Sequence, residues 1–549
     1  MPSRTVLHHT KTALVAVTVS VCCAFGGIAN AQTGGGDAPA NRLLTAVAAI
    51  EAPAADTSAT TWTAGYHNGT FFLRDKSDIF RLYVMGRAHA DWLDQLGAGV
   101  TSLPPGNNLT DGFFLRRARI ELAGEFYEKW QFWVGAETAS ATSIDDAAAN
   151  QVTPTCTAAA NSFLTCSNRS NVADAPTVKA IPTDVFVNYG PTPWTNLQAG
   201  QFYLPFSLEN RISDNTTWFL ERSLPIRNIG APLQRDIGLM FWGESPDRSL
   251  YYAVGILNGD GPNRPNVDSR YDVSARAVYR PFAASTDTFS KWVQVGVSAR
   301  QGSRDPAKVG YDLPSLTTQG GFAFWRPTYR DSLGRTIHIL PSSSQWAVGA
   351  DLFAPVGKLD IMGEFIYLNE GTREAVDGYQ LSPFTERIGA LTGVGWYAQV
   401  GYWILGDQDI IGPPSYGRPI HVDLTKPQKR PQDGLQAMVK FEQLLLSYGG
   451  NSRGGALDSL TPNGSIDVDT FEVGVNYWAT KHLRVGLNYS YYLFPSSAPT
   501  LATAPGGPVQ SSTQRAVAPA QLLARGVDDG ARDGAHDLHE LQARVGVQF

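Results

Sequence analysis

From residue 61 onward the chain alternates between apolar and polar positions. In "SDIFRLYVMGRAHADW", Phe80, Leu82, Val84, Gly86 and Ala88 share one face, and Arg81, Tyr83, Met85, Arg87 and His89 share the other. In "FFLRRARIELAGEF", Ala118, Ile120, Leu122 and Phe126 oppose Arg117, Arg119, Glu121 and Glu125. "DTFEVGVNYW" sets Phe471, Val473, Val475 and Tyr477 against Glu472, Gly474 and Asn476. In "HELQARVGVQF", Leu541, Ala543, Val545, Val547 and Phe549 lie opposite Glu540, Gln542, Arg544, Gly546 and Gln548. A period of two is that of a β-strand, whose side chains point alternately to opposite faces. After a short strand near 65–74, the pattern predicts strands over 78–92, 111–126, 129–138, 181–190, 194–204, 235–243, 249–257 and 271–280. It continues over 291–301, 345–353, 358–368, 391–404, 433–446, 468–478, 481–493 and 537–549.

The links between these strands alternate in length. "YEK", "PTP", "ESPDR", "APVG" and "ATK" are short, whereas 93–110, 139–180, 205–234, 302–344, 369–390, 447–467 and 494–536 are long. One link, 405–432, is long where a short one is due. Short turns on one side and long loops on the other are the habit of outer-membrane barrels, whose strands are even in number. Counting from 78–92 gives about 16 strands, which puts both barrel ends in the periplasm. A charged side chain facing lipid costs roughly 2–4 kcal/mol at mid-bilayer. The charged face therefore looks into a wet lumen, and a slip of one residue would turn every charge outward. A barrel of about 16 strands is wide enough for an aqueous channel. The expected fold is all-β: a transmembrane antiparallel up-and-down barrel closed by its last strand on its first.

Composition sharpens this picture. No run of about 18 apolar residues follows the first thirty, so no transmembrane helix is expected. The 54 Gly, 13 Trp and 21 Tyr suit a sheet protein. A net charge of −6 and a pI of about 5.9 argue against nucleic acid as a partner. Arg4 and Lys11 precede the apolar stretch "ALVAVTVSVCCAFGGIANA", which closes on Ala29-Asn30-Ala31. This is the pattern of a secretory signal, with cleavage expected after Ala31. Cys22 and Cys23 lack the small residue that a lipidation site needs ahead of its cysteine. Residues 1–31 are thus read as a signal peptide for Sec export, 32–60 as a periplasmic arm or linker, and 61–549 as the barrel. Cys156 and Cys166 share one polar link, where an exported protein permits a disulfide; two free thiols are the alternative.

Several blocks resemble a known family. "GFFLRRARIELAGEFYEKWQFWVGAE", "VFVNYG" and above all "LQAGQFYLPFSLENRISDNTTWFLERSLP" are similar to the phosphate-selective porin O and P family. "RDIGLMFWG", "ILNGDGPN" and "SARAVYRPF" fit the same pattern over roughly residues 65–549. The resemblance implies a trimeric outer-membrane porin of 16 strands whose third extracellular loop folds into the pore. It places that loop at about 205–234, the third long link of the count above. Where the family carries a lysine after Gly-Gln-Phe, this chain has Tyr203, and where Ser-Arg-Asp is common it has Ser213-Asp214-Asn215.

The expected pore-lining residues are Arg81, Arg87, Arg117, Arg119, Glu121, Arg276, Arg300, Lys440, Arg484 and Arg544. Glu125, Asp236, Glu364, Glu442 and Glu472 share the inner face with them. The loop contributes Glu209, Arg211, Asp214, Glu221 and Arg222, while Phe206, Leu208, Trp218, Phe219 and Leu220 can anchor it to the wall. Rings of basic side chains select anions; the alternative role for each arginine is a salt bridge that braces the wall. The loop's own alternative is to cover a subunit contact or the outer mouth. Phe549, at the end of an amphipathic strand, is read as an assembly signal for the barrel-assembly machinery. Expected partners are membrane lipid, lipopolysaccharide, small anionic or polar solutes and two further copies of the chain. No GxSxG, HExxH or Walker pattern stands out, so no catalytic centre is expected. Asp260 in "NGDGPN" and Asp467 and Asp469 in "SIDVDT" read as turn or strand-end residues rather than as calcium or other metal ligands, and no cofactor is expected. A non-selective porin, an outer-membrane enzyme and a secreted β-sheet protein are the remaining readings.

Overall fold

The computed structural model describes residues 63–67, 70–96, 111–139, 155–158, 164–167, 180–287, 289–325, 327–330, 336–381, 387–414, 424, 432–452, 463–493 and 537–549. The expected signal segment 1–31, the arm 32–60, and most of the links 93–110, 139–180 and 494–536 lie outside the described residues.

Sixteen antiparallel strands close on themselves. They are β1 Phe80–Leu96, β2 Gly112–Phe126, β3 Trp130–Glu137, β4 Ile181–Thr192, β5 Thr195–Tyr203 and β6 Arg235–Glu244. β7 Leu250–Leu257, β8 Asp272–Tyr279, β9 Gln294–Arg304, β10 Thr336–Val356 and β11 Leu359–Val376 follow. β12 Arg387–Leu405, β13 Gly434–Ser452, β14 Asn463–Thr480, β15 Leu483–Leu493 and β16 Asp537–Gln548 complete the wall. Each strand pairs with its neighbours in sequence, and β16 returns to pair with β1 from His539↔Leu96 to Gln548↔Arg87.

Every strand read from alternation is present, and the differences lie at the ends. The segment near 65–74 is a hairpin, Ala64–His67 and Thr70–Arg74, rather than one strand. Asn68-Gly69 between its arms is the strongest short hairpin signal in a sequence. Its second arm pairs with β1 over Phe71↔Val84 to Arg74↔Arg81, on the edge that β16 occupies higher up. Strand β10 starts at Thr336 rather than near 345, because a shift of register between Pro341 and Gln345 absorbs a proline and three serines that break the alternation. β10 to β14 are 18–21 residues long, well past the 9–11 needed to cross a bilayer, and rise above it. The long link after β12 packs Ile410 against Trp403 and Trp478, and its Leu424 against Phe72, Tyr83, Met85 and Ala123.

The two faces divide as their chemistry requires. Ile120, Leu197, Leu239, Val297 and Phe365 are exposed on the outer surface. Tyr127, Trp194, Phe282 and Tyr402 are exposed beside the short links, where amphipathic rings suit a membrane interface. Arg87, Arg117, Arg119, Glu121, Glu364, Lys440, Glu472 and Arg544 point inward and are buried.

Phe549 continues the seam beyond β16. Its amide donates to Gly86 O at 3.1 Å and its carbonyl accepts from Gly86 N at 3.0 Å. A Cβ on Gly86 would lie 2.5 Å from Cζ of the Phe549 ring, so the glycine is the seat of that ring. Gly86→Val and Phe549→Ala are each expected to lower the fraction of protein that migrates as a folded barrel on an unboiled detergent gel. Unchanged heat-modifiable protein in both variants would show that the ring and its seat are dispensable for assembly.

A separate two-stranded ladder, Thr155–Ala158 with Leu164–Ser167, sets Cys156 opposite Cys166 along the backbone; their side chains lie outside the described residues. A disulfide across this register would close a loop of about ten residues and stabilise it by roughly 3 kcal/mol or less. Mass spectrometry of unreduced peptides is expected to find the cross-linked pair; two alkylatable thiols in the native protein would refute it.

Candidate functional site

The link between β5 and β6 enters the barrel. Backbone leaves β5 at Leu204 and makes one helical turn, Leu208–Arg211, whose first amides have no partner within so short a helix. Ser207 caps it, accepting from Asn210 N at 3.1 Å. Glu364 on β11 takes two more of these amides, Leu208 N at 2.9 Å and Glu209 N at 2.7 Å, and also accepts from Tyr397 OH at 2.8 Å. Farther along the loop, Leu224 N donates to Glu442 on β13 at 3.0 Å. The apolar anchors Phe206, Leu208, Trp218, Phe219 and Leu220 are all buried. Two inward-facing glycines leave room for them: a Cβ on Gly486 would lie 2.6 Å from Leu220, and one on Gly474 would lie 3.3 Å from Phe219. The loop thus crosses the lumen from its root at β5 and β6 to the opposite wall.

A second segment folds inward, and alternation gave no sign of it. Within the link between β9 and β10, Gly320 N donates to Glu540 on β16 at 2.7 Å. Gln319 donates through its amide to Tyr492 OH at 3.1 Å and through Nε2 to Glu472 at 2.9 Å. Asn228 of the first loop joins the two, donating to Thr317 O at 3.0 Å and accepting from Thr317 N at 2.8 Å.

Two loop carboxylates sit among arginines. Glu221 faces Arg116 at 3.0 Å, Arg117 at 2.9 Å, Arg227 at 3.3 Å and Arg544 at 2.5 Å. Asp214 pairs with Arg222 and faces Arg117 at 3.4 Å, Arg119 at 3.6 Å and Arg87 at 3.7 Å. Glu121 also serves Arg87 at 2.6 Å, Glu137 serves Arg119 at 3.3 Å and Asp91 serves Arg544 at 2.7 Å. Among the described residues the cluster therefore holds seven guanidiniums against five carboxylates. Burial alone would push the Asp214 and Glu221 carboxyls up, but the surrounding arginines outweigh it and hold both well below the ordinary range. Glu209 goes the other way: burial raises it, against the pull of Lys440 and hydrogen bonds from Ser223 N at 2.8 Å and Ser223 Oγ at 2.6 Å. Arg222 also donates to Glu209 O and Ile212 O, and Arg211 donates to Tyr203 O at 2.7 Å.

The other predicted residues face inward but do different work. Arg81 lies lower on the wall, between Asp78 at 2.6 Å and Glu125 at 3.6 Å. Arg276 is sealed against Asp351 at 2.5 Å, and Arg300 bonds Glu370 at 2.8 Å and Ile229 O at 3.2 Å. Lys440 lies between Glu442 at 2.6 Å and Glu472 at 2.5 Å with the Phe219 ring 4.4 Å away, so its ammonium is enclosed beneath the loop. Arg484 bonds Asn476 and Trp218 O. Asp260 is a brace within its turn, accepting from Val267 N at 3.1 Å and Tyr311 OH at 2.7 Å. Asp469 accepts from Gln443 Nε2 at 2.7 Å.

Reading by strict alternation missed two arginines, Arg116 and Arg235. Arg116 joins Arg117 on the inner face because the pairing of β1 with β2 shifts between His89 and Ala90, making a bulge. The run "RRAR", with basic residues at two successive positions, is its sequence signal. Arg235 begins β6 next to Gln234, which has a φ of 60°, and turns its guanidinium onto the Tyr203 ring at 3.7 Å while bonding Asp184 at 2.8 Å. Tyr203, standing where the resembling family has a lysine, thus carries an arginine on its face. Arg227 lies in the loop's second turn, Ile226–Gly230.

Comparison with known proteins agrees with the resemblance. Residues 86–321 match the family model described as phosphate-selective porin O and P, a span that includes the whole inward loop. No curated protein sequence matches. Among solved structures, the chain is similar to the outer membrane channel DcaP of Acinetobacter baumannii, with a TM-score of 0.41, 10% identity and coverage of 87% of this chain and 99% of that one. It is similar to an anion-selective porin from Comamonas acidovorans (0.41, 9%, 86% and 100%) and to the outer membrane protein OmpT of Vibrio cholerae (0.40, 9%, 86% and 100%).

The charge cluster makes a prediction about docking. Carboxyls held low in the folded state contribute stability that is complete above their unfolded range and is withdrawn only as pH falls through the lowered values. The loop is therefore expected to stay docked at about pH 4, near the ordinary carboxyl range, with a proteolytic pattern unchanged from neutral pH. Glu221→Gln removes the shared partner of four arginines and is expected to cost about 3–5 kcal/mol, seen as a lower unfolding midpoint and faster cleavage within 205–234.

Proposed function

We propose that this chain is a porin of the outer membrane that lets small hydrophilic solutes diffuse passively, with a preference for small anions. The family match and the closed barrel with its apolar outer face support an outer-membrane channel. The observation that carries the anion preference is the grouping of guanidiniums where the inward loop meets β1 and β2. Solutes pass beside the loop, where Arg87, Arg119, Arg222 and Arg235 present a positive field in a low-dielectric wall, which attracts anions and repels cations. Phosphate is one anion of the right size and charge. Each of these arginines also holds a carboxylate, which favours moderate rather than strict selectivity. In this reading the chain is exported through the Sec pathway, assembles as a trimer and has no catalytic role.

Planar-bilayer recordings test this. Reversal potentials in a potassium chloride gradient are expected to show anion preference. Replacing Arg87 and Arg119 with glutamine is expected to shift selectivity toward cations, because Glu121, Glu137 and Asp214 lose compensation. Deleting 209–222 is expected to raise conductance and flatten selectivity, although the segment around Gln319 still fills part of the lumen. Unchanged conductance in a deletion variant that remains a folded barrel would remove this loop from the conducting path.

A further inference from the structure

Near the short link between β14 and β15, a small cleft that opens to solvent is lined by His89, Asn215, Trp478, Lys481, Arg484 and Arg544 among others, and no carboxylate lines it. Arg484 is 5% exposed. Its Nε and Nη2 donate to Asn476 Oδ1 at 3.0 and 2.8 Å, and Nη2 also donates to Trp218 O at 2.5 Å. These are neutral acceptors, and among the described residues Arg484 has no carboxylate in ion-pair range. Its guanidinium stands 4.9 Å from the Trp478 ring centre. The neighbouring Arg544 gives nothing back, since it is itself a cation engaged with Asp91 at 2.7 Å and Glu221 at 2.5 Å. One more buried nitrogen on the lining residues, Trp478 Nε1, has no hydrogen-bond partner.

A buried cation with no carboxylate in contact is expensive, and a buried donor without an acceptor adds to that cost. Water can satisfy an N–H but cannot neutralise a guanidinium. The missing partner must be small, must accept several hydrogen bonds and must be negative. We propose that this cleft is a binding site for a small inorganic anion, a halide or a compact oxyanion, held by Arg484 and Trp478 as a structural counter-ion. The anion ties β14 and β15 to the seam strands β16 and β1 beneath Asn215 of the inward loop. It adjoins the charge cluster around Glu221 and Asp214, with Arg544 shared between them, and it does not depend on whether the barrel conducts.

The test uses the purified full chain in detergent. Its heat-unfolding midpoint is followed at constant ionic strength in sodium gluconate while chloride replaces gluconate; phosphate is titrated in a second series. A ligand that binds only the folded state stabilises it in proportion to ln(1 + [L]/Kd). The wild type is therefore expected to gain several degrees in a saturable manner with one of the two anions, and the series that does so identifies halide or oxyanion. Arg484→Gln is expected to lose that increment. Trp478→Phe, which removes one neutral donor, is expected to raise the half-saturating concentration about 3- to 10-fold. Crystals soaked in bromide are expected to show anomalous density beside Arg484 if the occupant is a halide. The same anion dependence in wild type and Arg484→Gln would overturn the proposal, as would no saturable response to either anion. If Arg484→Gln fails to fold, the wild-type titrations and Trp478→Phe decide the matter.

Discussion

The ladder between β1 and β16 turns a sheet into a barrel, and the interior chemistry depends on that closure. An open sheet of this length would expose two edges of unpaired amides and carbonyls, and in a membrane those cannot be left unsatisfied. Here the edge of β1 is covered twice. Strand β16 takes its upper part, Phe549 bonds Gly86, and the hairpin arm Thr70–Arg74 takes the rest. Closure also fixes which way each side chain points, because the ladders leave no freedom to slip without turning charges toward lipid.

Once the inner face is defined, its charges are used reciprocally. Wall glutamates accept loop amides, as Glu364, Glu442 and Glu540 show at Leu208, Glu209, Leu224 and Gly320. Loop carboxylates accept from wall arginines, as Glu221 and Asp214 show. Short irregular loops cannot satisfy their own backbone, and wall carboxylates supply the acceptors that a helix or strand would have supplied. The consequence for selectivity is direct. Some of the acidic residues that face the lumen hold loops and others pair with wall arginines, while several basic ones are grouped at the passage.

Much of the wall could be read from the sequence because a barrel strand obeys a simple two-residue rule under a strong penalty. The alternation around Arg87, Arg119, Glu472 and Arg544 gave the correct face in every case. Bulges obey no such rule, which is why Arg116 was missed and β10 was read as starting too late. The inward course of 205–234 was legible through its mixture of apolar and charged residues and through the family resemblance. The second inward segment was not. "LPSLTTQGGF" contains no ionised group, and what carries it inward is a set of backbone amides and neutral side chains meeting Glu540, Glu472 and Tyr492 from strands far away in sequence. Nor could alternation distinguish an arginine that meets solvent from one like Arg276, whose charge is spent on Asp351.

The seam also dictates an order of events in assembly. Asp91 and Arg544, which meet across it, are 453 residues apart in sequence. Nearly all other strand pairings join consecutive strands and can form as soon as both are present. The closing ladder cannot, and contacts across such long loops are slow to form. Until β16 arrives, β1 presents an open hydrogen-bonding edge, and the inward loops lack Arg544 and Glu540 to receive them. The partly built barrel must therefore be sheltered through most of its formation, and capture of Glu221 by Arg544 becomes an event of final closure, one that gives the finished interior its charge pattern only when the wall is complete.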